Sequence, residues 1–194
     1  MAAELVDMHK EIAVKLQKGD NAAQFELYKL YSRAMYNICM RILNHKENAE
    51  DVLQDVFLSA FEQIHTFRFE STIGAWLKRI AINRCINFIK TTRIQIQLTD
   101  NFDTIDRPDN IDSVDWEEVE LSVDSIHKAM MHLPDGCRVI FSLFMLEGYD
   151  HAEISQILEI SESTSKSQLN RAKHLIRNTI TNNKQQSEWK IQTN

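Results

Sequence analysis

Four glycines and two prolines are all that punctuate 194 residues, and this scarcity of chain breakers restricts the fold more than any other feature. Leu, Ile, Ala, Lys, Glu and Gln are abundant and no strand-rich segment stands out, so the composition predicts an all-α protein. The apolar residues then sort into helical stripes. Phe25, Leu27, Leu30, Ala34, Met35, Ile38, Ile42 and Leu43 are read as one buried face. Leu53, Val56, Phe57, Ala60, Phe61 and Ile64 form a second, with Asp51, Gln54, Asp55 and Glu62 on the opposite, acidic side. A break from Thr66 to Gly74 precedes a third stripe, Trp76, Leu77, Ile80, Ala81, Ile86 and Phe88. Core spacing favours packing over base stacking for Trp76.

Charge divides the chain more sharply than hydropathy does. The formal net charge is -6, yet Ala75 to Arg93 holds five cations and no carboxylate, and Ser163 to Lys184 repeats that pattern. Between them, Asp100 to Asp124 carries ten acidic residues and the single cation Arg107. Cationic helical faces on an acidic protein point to local contacts with a polyanion rather than general adhesion to nucleic acid. Either face alone also reads as an ordinary solvated surface. The acidic run lacks sustained periodicity and is expected to be an extended linker, with Trp116 packing back on a neighbouring domain or opening the next helix.

Helical patterning resumes at Val123, stops at Pro134, and continues in the very apolar run Cys137 to Leu146 that Gly148 ends. Asp150 and Glu153 have capping-box spacing, and Ile154, Ile157 and Leu158 line a short helix. Glu159 and Ile160 make a turn, Ser161 suits the N-cap of a further helix, and Leu169, Ala172, Ile176 and Ile180 give that helix its inner stripe. Its outer face carries Ser163, Lys166, Ser167, Asn170, Arg171 and Lys173. The layout fits a helix-turn-helix, in which the N-terminal part of the second helix reads base edges; a plain helical hairpin with a charged surface is the other reading.

Several classes fall away on the same residues. Cys39, Cys85 and Cys137 are widely separated, odd in number and without zinc or disulfide spacing, so reduced buried thiols are expected. The sequence carries no HExxH, P-loop or Gly-rich phosphate loop, and His45, His65 and His151 fall at loop or cap positions. Neither an enzyme nor a cofactor or metal is expected. No run of 18 uncharged apolar residues occurs, so membrane insertion is not expected and a cytoplasmic location is.

NAAQFELYKLYSRAMYNICMRIL, NAEDVLQDVFLSAFEQI and FRFESTIGAWLKRIAINRCINFIK follow one another along the chain, and LPDGCRVIFSLFMLEGYDHAEISQILEISESTSKSQLNRAKHLIR comes after the acidic run. In order and spacing the first three look like the second conserved region, and the last like the fourth, of the extracytoplasmic-function group of bacterial RNA polymerase sigma factors, which the chain resembles. The resemblance implies a region 2 helical domain over residues 1–95, an acidic linker over 96–122, a four-helix region 4 domain over 123–182 and a flexible tail over 183–194. It implies that core RNA polymerase, promoter DNA and an anti-sigma protein are the partners. A stand-alone helix-turn-helix regulator is the alternative.

By the same resemblance, Asp51, Gln54 and Asp55 dock on the polymerase clamp. Ser71 in the loop, with Lys78, Arg79, Asn83, Arg84, Asn87, Lys90 and Arg93 after it, belongs to the part that binds the minus-ten element. Asn83, which donates and accepts at once, is the leading candidate to meet an extruded base, and Lys78, Arg84, Lys90 and Arg93 suit phosphates. Ser163, Thr164, Lys166, Ser167, Asn170, Arg171 and Lys173 match the helix on the minus-thirty-five element, where Arg171 reads a base or holds a phosphate. Ser155, Glu159, Ser163 and Ser165 stand where the family usually has Ala, Gly, Gly and Val. Serine at the inward position 165 is expected to forgo an apolar contact worth about 1 kcal/mol. Phe69 replaces a frequent loop glycine.

Overall fold

A computed structural model describes the backbone of residues 2–96 and 123–192, and side chains over 9–92 and 123–182. Most of the expected linker, Trp116 and the Arg93 side chain lie outside the described residues. The chain divides into two compact units, Met1–Leu98 and Thr99–Asn194. Helices joined by short turns and loops make up the described residues of both, and none of those residues lies in a β-strand.

In the first unit, α1 (Ala2–Gln17), α2 (Asn21–Leu43), α3 (Lys46–Gln63) and α4 (Ile73–Ile96) follow one another, with a single 3₁₀ turn at Ile64–Thr66. Short polar stops set the corners. Asp20 caps α2 by accepting from the Ala22 N–H at 2.8 Å, and Asn44 ends it with a left-handed φ of 52°. α2, α3 and α4 pack on one another around Leu27, Ile42, Val56, Leu77 and Ile82, while α1 adds Ile12 and Ala13 to that core. Each buried Leu, Ile or Val side chain among them contributes about 1.5–3 kcal/mol.

The face expected of α2 is only partly the buried one. Leu27, Met35, Ile38, Ile42 and Leu43 are buried, joined by Ala23 and Cys39, but Phe25 is 70% exposed, and Leu30 and Ala34 are also exposed. Phe25 precedes Leu27 by two residues, about 200° around a helix, so it belongs to a different side. On α3 the expected stripe is buried apart from the half-buried Phe61, and Ala49 and Val52 widen it.

In the second unit, α5 (Val123–Met131), α6 (Asp135–Phe141) and α7 (His151–Leu158) all pack against the long α8 (Glu162–Gln192). Met130, Leu143, Ile154, Leu169, Ala172, Ile176 and Ile180 form its core. The apolar run after Cys137 leaves α-helical geometry midway, passing into a π-helical turn at Ser142–Leu146 before Gly148 turns the chain with φ 80°. Arg138, 3% exposed, closes the α5–α6 corner by donating to the Leu133 carbonyl at 2.9 Å and to Asp135 Oδ1 at 2.6 Å. α8 continues through residues 183–192. Lys, Gln and Glu there are good helix formers, and no Gly or Pro interrupts them.

Candidate nucleic-acid interface

The loop before α4 is built around aromatic packing. Phe67 is buried, with its ring 4.8 Å from that of Phe69 and 5.5 Å from that of Trp76. Trp76 is half-buried and packs on Phe67. Phe69 takes a φ of 59°, a left-handed conformation that a bulky residue rarely adopts. α1 holds the loop from the other side: Gln17 Nε2 donates to the carbonyls of Ile64 at 3.1 Å and Phe67 at 2.9 Å. Thr72 caps α4 through its Oγ1, which accepts from the Ala75 N–H at 3.2 Å.

From that cap, α4 presents Arg79, Asn83 and Asn87 as an exposed stripe at four-residue spacing. Lys78, Arg84 and Lys90 are half-buried beside it, and Ser71 is exposed in the loop. A cavity of about 420 Å³ opens between α1 and the loop, and Asn83 does not line it.

On α3, Asp51, Gln54 and Asp55 are exposed on one side, and Leu58 shares that side at 59% exposure. Leu58 was missed in the sequence. Its signal was an apolar residue three positions after Asp55 and seven after Asp51, off the buried stripe.

The turn between α7 and α8 follows its local chemistry closely. Asp150 and Glu153 form the expected reciprocal cap, with the Glu153 N–H donating to Asp150 Oδ1 at 2.7 Å and the Asp150 N–H to Glu153 Oε2 at 2.9 Å. Glu159 ends α7 with a φ of 58°, so it sits in the conformation that favours glycine. Ser161 caps α8 by accepting from the Thr164 N–H at 3.0 Å, and its Oγ lies 2.8 Å from both Ser163 Oγ and Thr164 Oγ1.

The outer side of α8 exposes Lys166, Ser167 and Asn170, with Arg171 and Lys173 half-buried at its flank. Lys166 pairs with Glu162 at 3.3 Å on the open surface, where such a pair is weak and yields readily to a competing anion. Ser167 Oγ donates to the Thr164 carbonyl at 3.0 Å. Arg171 also acts inward: its charge opposes the burial that pushes the Cys137 thiol up, and Cys137 Sγ donates to Gln168 Oε1 at 2.9 Å.

Ser165 does face inward, with no exposure, but its hydroxyl is not stranded. It lies 2.9 Å from His151 Nδ1, and the His151 ring stacks on Phe144 at 4.5 Å. A hydrogen bond across the α7–α8 angle, typically worth about 1 kcal/mol, thus replaces the apolar contact the sequence led us to expect as a loss.

Among the described residues, no group of three or more His, Cys, Asp or Glu is arranged to hold a metal, and no helix is long and apolar enough to cross a membrane. Fold and surface together define an all-α protein of two helical units, the second bearing a helix-turn-helix whose outer side carries Lys, Asn and Arg.

Comparison with known proteins makes this class specific. The Sigma-70 region 2 family profile matches residues 27–94 and the Sigma-70 region 4 profile matches residues 124–175. The ECF RNA polymerase sigma-E factor of Haemophilus influenzae is 28% identical over 193 residues, covering 93% of this chain and 98% of its own. The ECF RNA polymerase sigma factor SigW of Bacillus subtilis is 27% identical over 182 residues, covering 89% and 97%. Among solved structures, the sigma factor RpoE of Bartonella quintana, in complex with the anti-sigma factor NepR, is 20% identical, with a TM-score of 0.49, covering 80% of this chain and 95% of that one. The chain belongs to the sigma-70 family, in its extracytoplasmic-function group.

Proposed function

We propose that this protein is the promoter-specificity subunit of RNA polymerase, binding core enzyme through α3 and promoter DNA through α4 and α8. The observation that carries the reading is the exposed stripe Arg79, Asn83 and Asn87, continuous with an ordered loop capped by Thr72. Amide side chains donate and accept at once, which suits unpaired base edges, while the flanking Lys78, Arg84 and Lys90 suit phosphates. This face reads the minus-ten element, where a base must leave the stack before its edge is accessible.

On α8, Lys166, Ser167, Asn170 and Arg171 lie within the first three turns, the part of a recognition helix that meets base edges in the major groove. This helix reads the minus-thirty-five element. Ser163 and Thr164 serve chiefly to build the Ser161 cap, and the N–H groups of that first turn suit a backbone phosphate. Asp51, Gln54, Asp55 and Leu58 form the polymerase-docking face, an acidic surface with one apolar anchor. The family resemblance adds an anti-sigma protein that sequesters the free subunit. No chemistry is assigned to the protein itself.

Runoff transcription with core polymerase on a genomic fragment library, with and without the protein, tests the reading. Defined transcripts that depend on the protein, from fragments sharing two spaced elements, are the expected result. Specific DNA binding without polymerase, and no dependent transcript with it, would establish a stand-alone regulator instead.

A further inference from the structure

Ser165 is the fourth residue of α8 and is fully buried, while Lys166 and Ser167 follow it at once and are exposed. Ser167 stands two residues on, about 200° around the helix, so an inward hydroxyl and an outward polar group share one turn. Whatever holds Ser165 in place therefore also holds the start of the outer side of α8.

Three elements meet at His151. It is the first residue of α7, whose start is fixed by the reciprocal cap of Asp150 and Glu153. Its Nδ1 lies 2.9 Å from Ser165 Oγ, and its ring stacks on Phe144 at 4.5 Å with 26° between the planes. Phe144 belongs to the π-helical turn, closed by the Glu147 N–H donating to the Ser142 carbonyl at 3.1 Å and the Tyr149 N–H to the Leu143 carbonyl at 3.0 Å. Such turns are rare and frequently lie at functional sites. A hydroxyl both donates and accepts, so the link to the imidazole forms in either tautomer. Apolar packing at this point has no preferred direction, whereas a hydrogen bond is satisfied only over a narrow range of distance and angle. That difference matters for recognition, because a side chain that reads a base must be held within about 0.5 Å and roughly 10–20° of its productive geometry.

We propose that His151 and Ser165 are positioning residues for promoter recognition: their hydrogen bond, braced by the Phe144 ring, sets the tilt and depth of α8 in the major groove. This role rests on the minus-thirty-five reading above and adds to it the residues that aim the helix. Neither side chain touches a base. Both act through Lys166, Ser167 and Asn170, which are exposed on the side of α8 away from the link. Phosphate contacts set affinity without reading sequence and tolerate a small tilt, while contacts to base edges do not.

Ser165→Thr and Ser165→Val separate the hydroxyl from the shape, since both side chains are β-branched and only threonine keeps the donor and acceptor. Holoenzyme assembled from each full-length variant and core polymerase is tested on a promoter found by runoff transcription, against every single-base change in its minus-thirty-five element. The unmodified protein and Ser165→Thr should reject the worst mismatches by on the order of tenfold, and Ser165→Val should flatten this to about twofold. The valine variant should keep the salt dependence of binding and unfold at a temperature no lower than the threonine variant. His151→Phe keeps a ring against Phe144 and removes Nδ1, so in the Ser165→Thr background it should bring discrimination down to the valine level. Where Ser165→Thr lowers stability, His151→Phe against the unmodified protein carries the same comparison. Equal discrimination by the threonine and valine variants, or a loss that merely follows stability, overturns the positioning role and leaves the minus-thirty-five reading standing. No base preference anywhere in the element by the unmodified protein overturns both.

Discussion

A Cβ added to Gly74 would stand 2.7 Å from Cε1 of Tyr31 and 3.1 Å from its hydroxyl oxygen, so the absence of a side chain at the start of α4 is what lets the Tyr31 ring lie there. The same hydroxyl meets His9, which makes Gly74 a condition for joining α1, α2 and α4 at one point. Gly74→Ala should therefore destabilise the first unit by about 1–2 kcal/mol, since overpacking outweighs the better helix propensity of alanine. Thermal unfolding of the full chain measures it. A gain in stability would show that the ring moves aside freely.

Glu159 occupies the left-handed turn of the helix-turn-helix with a full side chain. Glycine is unstrained there and alanine is not, so Glu159→Gly should exceed Glu159→Ala in stability by about 1 kcal/mol. Comparing the two variants by urea unfolding removes the contribution of the glutamate side chain and isolates the backbone. Equal stabilities would mean that the turn is held without strain.

Asp51 and Asp55 are solvated on α3, away from the buried stripe. The double change Asp51→Lys and Asp55→Lys should leave the helical content and melting temperature nearly unchanged while reducing polymerase binding at least tenfold, because the charge of the proposed docking face is reversed. Competition for core enzyme against the unmodified protein gives the comparison. Leu58→Ala should weaken the same binding without altering its salt dependence, as expected of an apolar anchor.

Arg171 is half-buried at the flank of α8 and lies close enough to Cys137 to act on its thiol. Arg171→Ala should cost about 1–3 kcal/mol at one position of the minus-thirty-five element and relax discrimination there. Binding measured across all single-base variants of the element decides the role. A loss uniform across every sequence would assign Arg171 to a phosphate.

Much of this fold was legible because helices are local. The stripe Leu169, Ala172, Ile176 and Ile180, the Asp150–Glu153 cap and the Ser161 cap follow from residues within a few turns of each other, and each is found as expected. The candidate surface was legible for a similar reason. Charge of one sign along a helical segment remains on that helix whatever it packs against; Arg79, Asn83 and Asn87 were singled out by the family resemblance, and the structure exposes them at four-residue spacing along α4.

Other features depend on which distant residues meet, and periodicity carries no information about that. Leu30 looks like core yet is exposed, because apolar spacing gives a stripe its direction but not its width, which the neighbouring helices set. Ser165 looks like a loss until His151 is placed beside it, and Cys39 and Cys85, 46 residues apart, prove to be buried partners whose thiols hydrogen-bond across α2 and α4. That bond and burial push the Cys85 thiol up.

By itself, then, the amino-acid order determined the helices, their caps, the separation of acid from base and the family, all of which arise from near neighbours or from ordered motifs. Only the packed chain decided that Gly74 makes room for Tyr31, that Tyr31 meets His9, and that α1 therefore walls a cavity beside the loop. The physical reason is reach: a hydrogen bond or a ring contact acts over a few ångströms, and residues far apart along a chain come within that distance only once the core has closed.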